Sequence, residues 1–555
     1  MESAELSNKA AERIGGGYEK PICAIGFILA VIIAVWFRFD QIGLKPFHHD
    51  EGVMSHFLLT LAKSGQYKYN PDNYHGPTFY YFALGSLRVF GSNDFALRFT
   101  PALFGVLTVL MVWLLRKHLG SVGTPVAAFL MAISPGLVYF SRDFIHEMSF
   151  GCFSLGVVVG AWRYAESKNF AWLALMATSA GLLFATKETA IITAIVMIIA
   201  ALCAAAWELT RRLIQGRETT LAAFAREFRR DCANVAPSLD HALAALMIFV
   251  FINLIFYTSF FAVQKYLDGS EHIHWEGLKD AVRSVSLWAR RSSGEHVKDF
   301  WYYIGILFKL ELPLVVGSLL AGIFIVRRGT RFWLFVAAWT LGITLAYSII
   351  GYKTPWLALS FLIPMALLSG HAAQKIYGAA PPISLRLLWA AALVTVLIFN
   401  VRLAWTVNFD KYDDNDNRSG YLTNLGRSLN LRPYTDGLYG YVYVQTVRED
   451  ILSLAQAIKS ETDKRPLRAA TPIYVAATDY WPLPWYLRDF DEVTAYIGKL
   501  PDGGPSQISQ PIIIASANQQ PILDGASGLR ALPQAFTLRP GVELVIYVRD
   551  NLEQR

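Results

Sequence analysis

The chain has 555 residues, 54% of them hydrophobic and only 17% charged, where soluble domains carry about 25% charged residues. Uncharged apolar runs of about 20 residues, long enough to cross a bilayer core of about 30 Å, recur through the first three-quarters of the chain and exclude an ordinary soluble protein. The net charge of +7 falls largely in short loops between these runs. Membrane orientation accounts for it there, so nucleic acid is not an expected partner.

Residues 1–20 are polar and precede an apolar run over 21–37. The chain continues Phe37-Arg38-Phe39-Asp40 with no small-residue cleavage site, so the run is expected to be an uncleaved first span. Further spans are expected at 96–115, 122–140, 149–165, 170–185, 189–207, 241–262, 301–326, 332–350, 355–374 and 385–404, about eleven in all. The segment 77–90 is short for a span and carries Arg88. If it does not cross, Lys20, Arg116, Lys117, the arginines of 208–240, Arg327, Arg328, Arg331, Lys375 and Arg386 all lie on the cytoplasmic side. The positive-inside rule prefers that arrangement, which leaves 77–90 re-entrant or interfacial. The outer side then receives 39–95, 141–148, the stretch near 186–188, 263–300, 351–354 and everything after about 405. The four cysteines form no CxxC motif and read as packing residues.

From 405 the chain turns polar. An acidic linker at 410–418 is followed by expected strands at 439–447, 472–481, 511–517 and 543–550, with an amphipathic helix at 450–459. Strand–helix–strand alternation predicts a small α/β domain over 405–555, following a transmembrane domain over 21–404.

The chemically purposeful residues fall on the outer side. The first outer loop holds His48-His49-Asp50-Glu51, followed by an apolar stretch that would hold it against the membrane. A second cluster, Ser141-Arg142-Asp143-Phe144-Ile145-His146-Glu147, lies at the outer end of the third span. On a continuous helix Asp143 and Glu147 would share a face, as would Arg142 and His146. Lys187, Lys353 and Arg98 supply positive charge on the same side. Lysines at that depth either snorkel to head groups or bind a substrate anion. Two of them beside an acidic cluster favour a phosphate site. There a carboxylate could deprotonate an acceptor hydroxyl, while cations or a metal stabilise a leaving phosphate.

Asp50-Glu51, "HGPTFYYF", "NDFALRFTPALFG", "SPGLVYFSRDFIHEM" and "GYKTPWLALSFLIP" together resemble motifs of the GT-C superfamily of polyprenyl-phosphate-sugar glycosyltransferases, over residues 20–375. The closest branch is that of the protein O-mannosyltransferases and lipid A aminoarabinose transferases, which includes a flippase-associated subgroup. The resemblance implies a multi-pass α-helical protein of the inner (cell) membrane, with its N-terminus in the cytoplasm and its α/β domain outside. It implies an inverting transferase that moves a sugar from a polyprenyl-phosphate donor to an extracytoplasmic protein, lipid or glycan. It assigns Asp50 as base with Glu51 in support, and Lys187, Lys353, Arg142 and Arg98 to donor phosphate. Asp143, Glu147 and His49 are assigned to a divalent ion, Mg or Mn. The opposing reading is a non-enzymatic flippase accessory or lipid-carrier transporter. A transporter's charges belong near the bilayer midplane, whereas these lie at its outer boundary.

Overall fold

The computed structural model describes residues 2–69, 75–215, 220–265, 271–273, 275, 277–279, 282, 296–380, 382–421, 427–430 and 439–549. Its helices in chain order are α1 (Glu2–Phe39), α2 (His49–Ser64), α3 (Thr78–Phe90), α4 (Asp94–Met111), α5 (Arg116–Ile133), α6 (Pro135–Ser141), α7 (Glu147–Ser167), α8 (Phe170–Phe184) and α9 (Ala190–Gln215). They continue with α10 (Leu221–Val235), α11 (Leu239–Tyr257), α12 (Tyr302–Leu310), α13 (Leu312–Arg328), α14 (Arg331–Ile349), α15 (Leu359–Ala379), α16 (Ile383–Trp405) and α17 (Arg448–Asp463). Each expected span falls on helix, those at 122–140 and 301–326 on two helices each, and the chain is a multi-pass membrane protein.

By length and composition alone, seven helical stretches among the described residues are apolar enough to cross a membrane, or eight if one bent pair counts as a span. The difference from eleven has three sources. One 40-residue stretch, Asp94–Ile133, holds both α4 and α5, with a kink at Gly120 (φ 79°) inside α5. Helix α8 is only 15 residues long. Helix α7 carries serines and glycines on a face buried among other helices, so it does not need a fully apolar surface.

The expected single span at 301–326 is instead broken: α12 and α13 meet at 102°. Glu311 sits at the break and faces a second one, where α5 gives way to α6 at Ser134-Pro135. Its Oε1 accepts from Ser134 Oγ (2.9 Å), Gly136 N (2.8 Å) and Tyr441 Oη (3.0 Å). One carboxylate thereby satisfies donors freed at a helix start. Helix α3 spans 13 residues, about 20 Å, too short to cross a bilayer.

The C-terminal region carries the expected sheet. After a short hairpin of β1 (Val263–Lys265) and β2 (Glu271–Ile273) come β3 (Ile473–Val475), β4 (Thr494–Tyr496), β5 (Ile512–Ser516), β6 (Leu529–Arg539) and β7 (Val542–Arg549). The sheet order is β4-β3-β5-β7-β6, with β3 parallel to both neighbours and β7 antiparallel to its own. Ile451, Leu454 and Ile458 of α17 pack on one face with Ile473, Ile512 and Ile514. The alternation of these side chains with Tyr474 and Ile513 on the opposite face is what the period-2 pattern predicts.

The expected strand at 439–447 does not form. Its residues bend, with Val444 at φ 48°, and lie against the helical body: Tyr439 packs on Gly305, and Tyr441 reaches Glu311. Two of its backbone donors are taken by side chains, Val442 N by Asn417 Oδ1 (3.2 Å) and Gln445 N by Asn415 Oδ1 (2.7 Å), while Val447 N donates to Leu538 O (3.0 Å). Period-2 alternation marks a segment with one buried face and does not specify what covers that face.

Candidate active site

The site is built around the start of α2. His48 is the N-cap: its Nδ1 accepts from Asp50 N (3.2 Å), while its own backbone N–H donates to Glu51 Oε2 (2.9 Å). His48 Nε2 donates to Tyr443 O (2.7 Å), which fixes a neutral tautomer. Burial lowers the His48 imidazole pKa despite the carboxylates beside it.

Glu51 is fully buried and accepts four hydrogen bonds. Arg98 donates through Nε and Nη2 (both 2.8 Å), Phe144 N donates at 2.6 Å, and His48 N completes the set. Burial alone would raise the Glu51 carboxyl, but Arg98, Lys45 and the Phe144 N–H hold it below the usual carboxylate range. Arg98 spends its remaining donors on Ile42 O, Lys45 O and Pro46 O. It is fully buried, so its guanidinium is engaged by protein groups rather than presented to a phosphate. Arg142 is engaged likewise. It donates to Phe37 O, Asp40 O and Gln41 O at 2.7–2.8 Å, tying down the carbonyl end of α1. The two arginines assigned to donor phosphate from the sequence therefore order the loop between α1 and α2.

The second acidic cluster does not share one helical face. The helix ends at Ser141 and restarts at Glu147, so Asp143 and Glu147 point to different partners. Asp143 pairs with Lys45, which also lies 3.6 Å from the Tyr139 ring centre. Glu147 pairs with Lys187 (2.7 Å) and His146 (2.9 Å). Burial works against the Lys187 ammonium, but Glu147 reverses this and holds its pKa above the usual lysine range. Burial keeps His146 below the usual imidazole range although Glu147 opposes it. Its ring packs on His75, with centroids 4.3 Å apart.

The "HGP" segment explains how Lys187 reaches this place. Gly76 N donates to Thr186 O (3.0 Å) and Thr78 N to Ala185 O (3.2 Å), so the two loops pair through backbone. A side chain at Gly76 would strike the Ala185 carbonyl. Lys353, by contrast, is buried and donates to Lys298 O (3.0 Å) and Ile350 O (2.5 Å). Its neighbour Tyr352 faces the site. The Tyr352 hydroxyl is pushed up to about 12 chiefly by burial, with Lys187 opposing and Asp50 and Glu147 adding to the rise.

Asp50 and Glu147 both favour the charged His146, and Asp50, Glu147 and Lys187 all bear on the Tyr352 hydroxyl. Asp50 is half-exposed, and its carboxylate takes no hydrogen bond and no ion pair among the described residues. Three neighbouring acids, Glu51, Asp143 and Glu147, are each paired with a cation.

A divalent ion at Asp143, Glu147 and His49 does not fit this arrangement. Both carboxylates are engaged by lysines, and His49 looks away, toward Trp481 and the Asp479–Arg539 pair. Among the described residues no group of three or more His, Cys, Asp or Glu side chains is arranged to hold a metal. Sequence reasoning missed Lys45 and Tyr352. Both adjoin residues that drew notice, Lys45 in the first outer loop and Tyr352 beside Lys353.

The C-terminal region grips the same loop. Phe47 stacks on Trp485 (centroids 4.9 Å, planes 2° apart) and its N–H donates to Tyr486 Oη (2.9 Å). Gln445 Nε2 donates to Pro46 O (2.8 Å), and Trp485 Nε1 to Asp94 Oδ1 (2.8 Å). Pro482 packs so closely on Gly52 that a Cβ there would clash.

A half-exposed carboxylate, a lysine and a tyrosine are thus seated on a multi-pass helical bundle with a small sheet, a membrane protein whose fold is that of the GT-C structures below. Residues 74–226 match the family model for dolichyl-phosphate-mannose-protein mannosyltransferase. Among solved structures, ArnT from Cupriavidus metallidurans bound to undecaprenyl phosphate is similar at 15% identity, with TM-score 0.56, covering 93% of this chain and 97% of that one. The archaeal oligosaccharyltransferase AglB from Archaeoglobus fulgidus, in complex with an inhibitory peptide and a dolichol-phosphate, is similar at 12% identity, with TM-score 0.51, covering 91% and 70%. No curated protein sequence matches. The GT-C resemblance read from the motifs holds for the fold of nearly the whole chain.

Proposed function

We propose that the protein is an inverting glycosyltransferase that moves a sugar from a polyprenyl-phosphate donor to an extracytoplasmic acceptor. The observation that carries this reading is the contrast among the four acids: only the Asp50 carboxylate is left without a hydrogen bond or ion pair among the described residues. A structural carboxylate is paired, whereas a general base must be ionised and within reach of a proton. The acceptor oxygen attacks the anomeric carbon from the face opposite the phosphate. The bond from that carbon to the phosphate oxygen breaks, the proton passes to Asp50, and polyprenyl phosphate leaves. Lys187 has three donors and gives one to Glu147, so two remain for the leaving phosphate. Glu51, Arg98, Arg142 and Lys353 position the loops. The lipid phosphates bound by ArnT and AglB support this donor class.

This reading places the site and the region from 405 onward outside an inner membrane, with residues 1–20 in the cytoplasm. Domain limits at 21–404 and 405–555 follow from the same reading. The region after 405 braces the first outer loop.

The test is transfer from radiolabelled polyprenyl-phosphate sugars in a lipid extract. Asp50→Asn is expected to lower turnover by about 100-fold or more while donor binding stays within about twofold. Full turnover in Asp50→Asn would overturn the base assignment. Donor binding with no transfer to any acceptor would favour the lipid-carrier accessory instead.

A further inference from the structure

Helix α16 is poorly supported by the bundle: only 17% of its apolar stretch is buried. It touches α5 and α6 near its end, where Asn400 donates to Ile133 O (3.2 Å). In its first two-thirds it meets α15 near the start, where Arg386 and Trp389 lie against the Tyr377 ring. The cleft left between α13, α15 and α16 has a volume of about 1030 Å³ and shares no lining residue with the Asp50 site.

Most of the lining is apolar, including Val316 and Leu320 of α13, Ile376 of α15, and Trp389, Val396 and Phe399 of α16. Apart from Ser369, the polar lining comes from Arg402 and Thr406 at the end of α16 and from Arg418, Ser419 and Tyr421 just after it. That end is ordered: Tyr421 Oη donates to Asn400 Oδ1 (2.6 Å) and Tyr421 N to Lys309 O (2.7 Å). Arg418 is paired with Asp416, whereas the Arg402 guanidinium has no hydrogen bond or ion pair among the described residues. An apolar slot with an exposed, unpaired cation at one end is complementary to an anionic amphiphile.

The length selects the chain. From Trp389 to Thr406 the helix rises about 26 Å, against about 15 Å for one leaflet of the bilayer core. An ordinary acyl chain would fill only part of it. We infer that the α13–α15–α16 cleft is a second lipid site, which holds a long-chain isoprenoid phosphate with its phosphate on Arg402. It stands apart from the transfer site and does not depend on the activity proposed above.

The experiment uses the full chain in proteoliposomes with a diazirine-bearing polyprenyl phosphate, and maps cross-linked peptides by mass spectrometry. Labelling is expected on α16 peptides, competed by unlabelled polyprenyl phosphate but not by polyprenol or phosphatidylglycerol. Arg402→Gln should lower that labelling about tenfold, the smaller effect of losing a charge-assisted contact. Ala392→Trp should block the slot from within it. Neither change should alter labelling of peptides around Lys187. Equal competition by phosphatidylglycerol or polyprenol would mean ordinary surrounding lipid and overturn the proposal. Unchanged α16 labelling in Arg402→Gln would overturn it equally. Because transfer is not the readout, failure here is distinct from failure of the Asp50 assignment.

Discussion

Glu51→Gln is the change that most directly separates the loop's support from its chemistry. It keeps the side chain's shape and removes the charge that Arg98 meets twice at 2.8 Å in a fully buried setting. One of the two Glu51 oxygens becomes an amide donor facing donors, since Arg98, Phe144 N and His48 N all point at the carboxylate. Removing one partner of a buried pair costs about 3–5 kcal/mol. That is a large part of the about 5–15 kcal/mol that holds a typical domain together. The melting temperature in detergent, followed by tryptophan fluorescence, should fall by about 3–4 °C for a chain of this length. Replacing both partners with apolar residues, Glu51→Leu with Arg98→Met, should restore much of the loss, because no charge is then left unpaired. Asp50→Asn should leave the melting temperature nearly unchanged, since the Asp50 carboxylate is tied to no hydrogen-bond or ion-pair partner among the described residues. If Glu51→Gln melts with the parent protein, or Asp50→Asn falls as far as Glu51→Gln, the division between supporting and reacting carboxylates is wrong.

Burial lowers His48, His49 and His146 below the usual 6.5, so the unfolded chain binds protons that the folded one refuses. Stability should therefore decline as pH falls below about 6.5, before Glu147, held low by Lys187 and His146, begins to matter below about 4.5. His48→Asn keeps an N-cap and should flatten that acid limb in thermal melts taken across pH 7 to 5, while lowering the melt at pH 7 through loss of the Tyr443 bond. Gly76→Ala should force the 75–78 segment off the Ala185 carbonyl at a cost of about 1–3 kcal/mol, and a donor-binding assay should weaken with it as Lys187 shifts. Gly52→Ala should separate Pro482 from α2 and make the region after 405 more open to limited proteolysis; an unchanged digestion pattern would argue against the clamp. A membrane-impermeant maleimide applied to intact cells should label Lys464→Cys and spare the exposed native Cys232. The reverse pattern would invert the topology.

What could be read in one dimension were features that depend on local composition. Apolar runs located a helix at all eleven expected positions, because a bilayer demands length and hydrophobicity whatever the neighbours are. Period-2 runs located β3, β5 and β7, because the sheet buries alternate residues. The outer-loop acids were legible for a similar reason, since ionisable residues beside a membrane are costly and therefore conspicuous. Which of those acids is spare was not legible. Glu51 and Asp50 are neighbours of similar chemistry. Only the fold brings Arg98, 47 positions away, onto one and leaves the other half-exposed. Lys45 with Asp143, and Lys187 with Glu147, are likewise pairings across helices that spacing does not encode. The 439–447 segment and the break at Glu311 went astray for one cause: alternation and hydropathy report how much of a segment is buried, while the partner that buries it is chosen by packing among distant parts of the chain.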